Sequence, residues 1–133
     1  MNTNGRRELA ERLVRKAYVR SVLIGCRCGC HQRADRSFFY KGYQFPVCAR
    51  CTGVFIGYLL TLPVYFLVGF RFIQCFCFAG IMLLDWLIQY CKIKESTNLR
   101  RLITGMCGGF GVFGIEILVF ARLLDVVKTI LQK

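Results

Sequence analysis

Cys30, His31, Cys48 and Cys51 carry metal-ligand chemistry, and they fall at the two ends of the stretch CHQRADRSFFYKGYQFPVCARC. Zinc takes thiolate and imidazole ligands in a tetrahedron, and Cys48-x-x-Cys51 lets two thiolates from one turn reach a single ion. The segment from His31 to Cys48 is long enough to return the chain to the first ligands. Cys28 is an alternative upstream ligand, in a Cys-x-x-His spacing with His31. Arg50, between the two thiolates, is expected to offset their charge. The pattern predicts a zinc-type site. It also fits a redox-active pair, because a cysteine beside an arginine and just before a helix start has a lowered thiol pKa. Plain reduced thiols are the third reading. Cys75, Cys77, Cys91 and Cys107 lie in or beside apolar segments and read as packing residues.

A second constellation lies further along. Asp85 stands alone in an apolar run, and Gln89 follows one helical turn later on the same face. The segment STNLRR adds Asn98, Arg100 and Arg101 at an expected helix start. A carboxylate in an apolar span is expected to face protein rather than lipid, with Arg100 or Arg101 as its partner. The same group of donors suits an anionic headgroup or a protein partner. A purely structural Asp–Arg pair is the plainer alternative. Glu116 is placed for interhelical hydrogen bonding or for proton binding, and the sequence does not choose. There is no nucleophile elbow, phosphate-binding loop or H-E-x-x-H motif, and His31 is the single histidine. Whether the protein is an enzyme stays open. The enzymatic alternative is thiol–disulfide chemistry at Cys48 and Cys51, or metal-assisted chemistry on a lipid-linked phosphate.

The elements that must position these residues are helices. Of 133 residues, 56% are hydrophobic, and the mean hydropathy is +0.48. A chain this short has too little interior to bury so much apolar surface in water. The apolar residues concentrate in segments 52–70, 72–91 and 102–124. Each is about 20 residues, the length that spans about 30 Å of hydrocarbon as a helix. The expected fold class is an all-α membrane protein with three transmembrane helices. An N-terminal amphipathic helix (1–25) and a Cys/His-rich loop (26–51) precede them, and a tail (125–133) follows.

The N-terminal segment lacks the clean apolar core of a secretory leader. Arg6 to Ile24 carries apolar residues at helical spacing with basic residues between them. Gly25, Gly29, Gly42 and Pro46 are expected to break the loop. Thr52 is expected to cap the first span, and Ser96, Thr97 or Asn98 the third. Gly53, Gly57 and Thr61, and again Gly105 and Gly109, form small-residue stripes on which helices can pack, within one chain or between copies.

Charge sets the expected orientation. Eleven Lys and Arg precede Thr52, and four more lie between the second and third segments; Arg71, Arg122, Lys128 and Lys133 fall on the other side. The positive-inside rule then places the N-terminus in the cytoplasm. The excess positive charge is expected to meet anionic lipids rather than nucleic acid.

The motifs CHQRADRSFF, QFPVCARCTGVFIGY, LLDWLIQ and ESTNLRRLITGMCGG together resemble a domain-of-unknown-function family of small bacterial multi-pass membrane proteins. The resemblance covers about Cys30 to Gly111. It implies a bacterial cytoplasmic-membrane location and favours Cys30 over Cys28 as ligand, and it implies no activity. Ala34 stands where similar sequences often carry Pro, and Trp86 where Gly is usual.

Overall fold

The computed structural model describes residues 3–132, with side chains from Gly5 onward. Lys133, counted above in the charge balance, and Met1 and Asn2 lie outside the described residues. The chain divides into two compact units, Met1–Cys48 and Ala49–Lys133.

The first unit begins with α1 (Thr3–Arg27) and ends with a hairpin of β1 (Phe39–Tyr40) and β2 (Tyr43–Gln44). A single 3-10 turn, Ala34–Arg36, lies between them. Helix α1 runs further than the expected Arg6 to Ile24 and carries Gly25 and Cys26 on its last turn. Gly25 is therefore a helical residue rather than a breaker. A Cβ on it would collide with the Pro46 carbonyl and the Gln32 amide, so its smallness lets the loop close against the helix. The actual stop is Gly29, at φ +78°. Gly29 N–H donates to the Cys26 carbonyl and Cys30 N–H to the Gly25 carbonyl, the paired bonds of a Schellman cap.

The hairpin was not expected from the sequence, which reads there as irregular loop. Phe39 pairs with Gln44 and Tyr40 with Tyr43. Lys41 and Gly42 both have positive φ, 49° and 82°, as a two-residue turn of the I′ type requires. Phe45 N–H extends the pairing to the Phe38 carbonyl at 2.8 Å. Tyr18 of α1 meets Tyr43 edge-on and donates its hydroxyl to the Gln44 carbonyl at 2.9 Å.

The second unit contains α2 (Ala49–Leu67), α3 (Phe72–Tyr90) and α4 (Asn98–Leu131). Both α2 and α3 pack on α4. Two of these helices, α2 and α3, are long and apolar enough to cross a membrane. Helix α2 starts at Ala49, so Thr52 lies inside it and is not the cap, and Cys51 belongs to its first turn. Pro63 sits within α2. Helix α4 begins four residues before the expected segment, at Asn98, and the Thr97 side chain accepts the Arg100 N–H, which is an N-cap in the ordinary sense.

The interior of this unit reverses the pattern of a soluble protein, which buries Leu, Ile, Val and Phe. Its largest fully buried side chains are Thr61 and Cys75. Leu59, Phe66, Leu67, Ile73 and Phe76 are exposed. Glycines make the contacts between helices. A Cβ on Gly57 would strike the Met106 carbonyl, and one on Gly109 the Val54 carbonyl. Opposing backbones thus touch where α2 and α4 cross. On another face of α4, Gly111 accommodates the Cys75 carbonyl of α3. The Gly53/Gly57 and Gly105/Gly109 stripes foreseen in the sequence are filled by the chain's own helices.

Leucine in place of Gly109 should therefore force α2 off α4 and destabilise the bundle by about 1–3 kcal/mol, the usual range for overpacking. Gly80→Ala is the control, since a Cβ at Gly80 meets nothing within 4 Å. Thermal denaturation in detergent should show a clear loss for Gly109→Leu and no loss for Gly80→Ala. Equal melting temperatures for wild type and Gly109→Leu would contradict the backbone contact.

Candidate functional site

The Schellman turn at Gly29 delivers Cys30 into the first unit, where it is 8% exposed. Its Sγ accepts the Cys48 N–H at 3.1 Å. The Sγ atoms of Cys30 and Cys48 lie within 4.8 Å of each other, as do those of Cys48 and Cys51. Cys51 is tethered to Cys48 by two intervening residues at the start of α2. Sulfurs bound to one zinc at about 2.3 Å sit about 3.8 Å apart in a tetrahedron, which this spacing permits. Cys30, Cys48 and Cys51 thus form a cluster that can hold a metal ion.

His31 and Cys28, the other ligands considered, are both exposed. His31 does not join the three thiols in the cluster. Its neighbour Gln32 carries a structural role that sequence reasoning missed. The Gln32 amide donates to the Val22 and Pro46 carbonyls, each at 2.6 Å, and its oxygen accepts from the Cys26 thiol at 3.0 Å. Gln32 adopts φ 45° to do so. Gln44 complements it, donating to the Gln32 carbonyl at 2.7 Å and the Ser37 hydroxyl at 3.2 Å. These two amides hold the chain before and after the loop, and with it the positions of Cys30 and Cys48. The signal available was the place of Gln32 in the Cys-His-Gln motif. Asp35, in the same loop, pairs with Arg33 at 3.1 Å and Arg36 at 3.5 Å. The hydrogen bond from Arg33 lowers its carboxyl pKa, but the group is solvent-exposed and touches none of the thiols.

The polar constellation assembles within the second unit. Asp85, on α3, is 2% exposed. Its Oδ2 receives Arg50 Nη2 at 2.5 Å, Gln89 Nε2 at 2.6 Å and the Thr104 hydroxyl at 3.3 Å. Its Oδ1 faces Arg100 Nε at 2.7 Å, an ion-pair contact without hydrogen-bond alignment. Arg100 is thus one of the two arginines expected as a partner. Arg101 instead donates to Gln89 Oε1 at 3.3 Å and reaches Asn98 Oδ1 at 3.5 Å. The second ion-pair partner is Arg50, which the sequence had assigned to the neighbouring thiolates. The reason is local: a Cβ on Gly105 would strike the Arg50 carbonyl, so α2 lies on the α4 backbone at that turn and the Arg50 guanidinium extends to Asp85. Glu116 is exposed on α4, away from this cluster.

Residues 30–115 match the family described as "Predicted membrane protein (DUF2085)". The chain belongs to that family. It is 31% identical over 96 residues to an uncharacterized protein of Methanothermobacter thermautotrophicus, a match covering 68% of this chain and 86% of the relative. It is 34% identical over 91 residues to uncharacterized protein MJ1492 of Methanocaldococcus jannaschii, covering 62% of this chain and 58% of that relative. Both relatives are archaeal, so they do not support the bacterial origin that the resemblance had suggested. No solved structure matches the chain.

Removing the Asp85 carboxylate leaves Arg50 and Arg100 facing each other across a buried gap. Asp85→Ala should cost about 3 kcal/mol, near the lower end for breaking a buried pair because both arginines reach solvent in part. Asp85→Asn, which keeps an acceptor oxygen, should cost less. Denaturation of the two variants in detergent measures the difference, and an Asp85→Ala variant as stable as wild type would show that the carboxylate is not a structural pin.

Proposed function

We propose that this member of the DUF2085 family is a multi-pass membrane protein whose Cys30, Cys48 and Cys51 bind one zinc ion. In this reading the ion ties the end of the α1 turn to the C-x-x-C at the start of the first span. The observation that carries the reading is the convergence of the three thiols. The burial of Cys30 supports a structural ion over a reactive thiol, since catalytic cysteines are accessible. His31, next to Cys30 in sequence, is the proposed fourth ligand after rotation of its side chain, and Cys28 is the alternative. A closed four-ligand site has no open position for substrate, so the protein works as a metal-organised scaffold in the bilayer rather than as a metalloenzyme.

The membrane arrangement proposed is three spans, α2, α3 and the apolar part of α4, with the N-terminus in the cytoplasm of the prokaryotic cell. The inverted interior and the exposed apolar surface favour lipid on all sides of the bundle. The distribution of Lys and Arg favours the orientation. The exposed apolar residues Leu9, Leu13 and Val14 of α1 lie among basic residues, which favours docking on the anionic cytoplasmic leaflet.

Metal analysis of detergent-purified protein should give about one zinc per chain, the stoichiometry of a single tetrahedral site. A Cys48→Ser/Cys51→Ser variant should lose it, and His31→Ala should release zinc to a weaker chelator than wild type does. Zinc-free wild type, prepared without chelators and with fast alkylation of Cys51, would instead support thiol–disulfide chemistry.

Fusions at the C-terminus test the spans. Three spans with the N-terminus inside predict an active alkaline phosphatase fusion and a dark green fluorescent protein fusion. A fluorescent C-terminal fusion would leave only α2 and α3 crossing.

A further inference from the structure

The β1–β2 hairpin carries a surface that neither the thiol cluster nor the Asp85 cluster uses. Side chains of paired residues share a face of a hairpin, and the faces alternate along each strand. Tyr40 and Tyr43 therefore stand on one face with Phe38 and Phe45, and Phe39 and Gln44 stand on the other. Gln44 is turned inward, donating to the Gln32 carbonyl and the Ser37 hydroxyl. The opposite face is aromatic at every position, and Phe38 meets Phe45 edge-on at 6.3 Å. It stands open: Tyr40 is 65% exposed, Tyr43 67% and Phe45 40%. The turn is set by the positive φ of Lys41 and Gly42, and Tyr18 of α1 braces Tyr43 from one side. A face held in this way has little ordering left to do when it docks.

Three observations say what the face meets. The first is residue type. The segment 38–45 reads FFYKGYQF and contains no Leu, Ile or Val. Amphipathic rings such as those of Tyr collect at the headgroup level of a bilayer, ring toward the acyl chains and hydroxyl toward water. The second is charge. Lys41, at the tip, lies over the Tyr40 ring at 5.5 Å, so a cation and a ring are presented side by side. Asp35, the acidic residue of segment 31–48, is paired with Arg33 and Arg36, and the balance of charge there is positive. Basic segments beside a membrane span are drawn to anionic lipid. The third is the tether. Four residues separate β2 from α2, a helix long and apolar enough to cross a membrane. Covalent reach alone keeps Gln44 within about 18 Å of the start of α2. With α2 inserted, the bilayer surface lies inside that reach.

We propose that the aromatic face of the β1–β2 hairpin seats in the headgroup layer of the membrane that α2 enters, with Lys41 on an anionic lipid. The proposal rests on the reading of the second unit as a bundle within the bilayer. It does not depend on zinc, since no residue of the face is a proposed ligand. Seated in this way, the hairpin holds the loop that carries Cys30 and Cys48 at the membrane surface.

The test places the full chain in nanodiscs of phosphatidylcholine and phosphatidylglycerol whose acyl chains carry bromine, a contact quencher of indole fluorescence, either near the ester or near the methyl end. Trp86 is the single tryptophan and lies on α3, so its quenching in the wild type reports whether the bundle is in the bilayer. A Trp86→Phe background then receives Tyr40→Trp or, on the opposite face, Phe39→Trp. Both positions are exposed and tryptophan suits a strand, so melting temperatures should match that of the background. The indole of Tyr40→Trp should emit to the blue of a water-exposed ring. It should be quenched more by bromine near the ester than by bromine near the methyl end, as a ring about 5–10 Å into the headgroup boundary must be. The indole of Phe39→Trp should be quenched less, and adding Lys41→Glu to Tyr40→Trp should weaken the quenching. Water-like emission and no quenching at Tyr40→Trp, with Trp86 of the wild type quenched, overturns the proposal and leaves the bundle in the membrane. That result is also the one expected if the face binds a soluble protein or a second copy. Stronger quenching at Phe39→Trp than at Tyr40→Trp overturns the assigned face. An unquenched Trp86 overturns the membrane reading itself, and the hairpin proposal with it.

Discussion

A carboxylate that is 2% exposed has to bring its own solvation with it. Asp85 does so by recruiting one donor from its own helix and others from the two neighbouring helices. Gln89 comes from α3, Arg50 from α2, and Thr104 and Arg100 from α4. This demand sets where the three helix ends meet. It is directional, unlike apolar contact between helices in lipid, where side chain and solvent are equally greasy and slide past each other at little cost. The glycine contacts bring the backbones close; Asp85 determines the register at which they stop.

The two devices depend on each other. The Arg50 guanidinium reaches Asp85 because its own backbone rests on Gly105. A larger residue at Gly105 would lift the first turn of α2 and strand the arginine. At that same turn stand Cys51 and, just before the helix, Cys48. The geometry of the thiols and that of the carboxylate cluster thus share one short piece of chain, although their chemistry is separate.

Much of this was legible in the sequence because it is local. Helical periods, the Gly53/Gly57 and Gly105/Gly109 spacings and a cap among Ser96, Thr97 and Asn98 each depend on residues within a turn or two. The burial of Asp85 and its pairing with an arginine at the start of α4, Arg100 or Arg101, followed from a charge that lipid would not accept. The rest was hidden because it is set by contacts distant in sequence. Arg50 and Asp85 are 35 residues apart, and their meeting depends on a helix that begins at Ala49 rather than at Thr52. Gln32 had no role in the sequence beyond its place in the motif CHQRADRSFF, and only the fold places the Val22 and Pro46 carbonyls within its reach. The hairpin escaped notice because strands of two residues carry no period. His31 looked equivalent to its cysteine neighbour in type and spacing, yet the turn after Gly29 buries Cys30 and leaves His31 outside.

The inverted interior bears on how such a bundle melts. Unfolding a soluble domain exposes oily side chains to water, and the resulting heat-capacity increment curves its stability with temperature. In the proposed three-span arrangement, what leaves hiding when α2, α3 and α4 separate is glycine backbone together with Thr61, Cys75, Thr104 and Asp85, and what these groups meet is lipid. That separation carries little hydration change. The free energy of helix association should therefore vary almost linearly with temperature, with no cold-side decline and little response to urea.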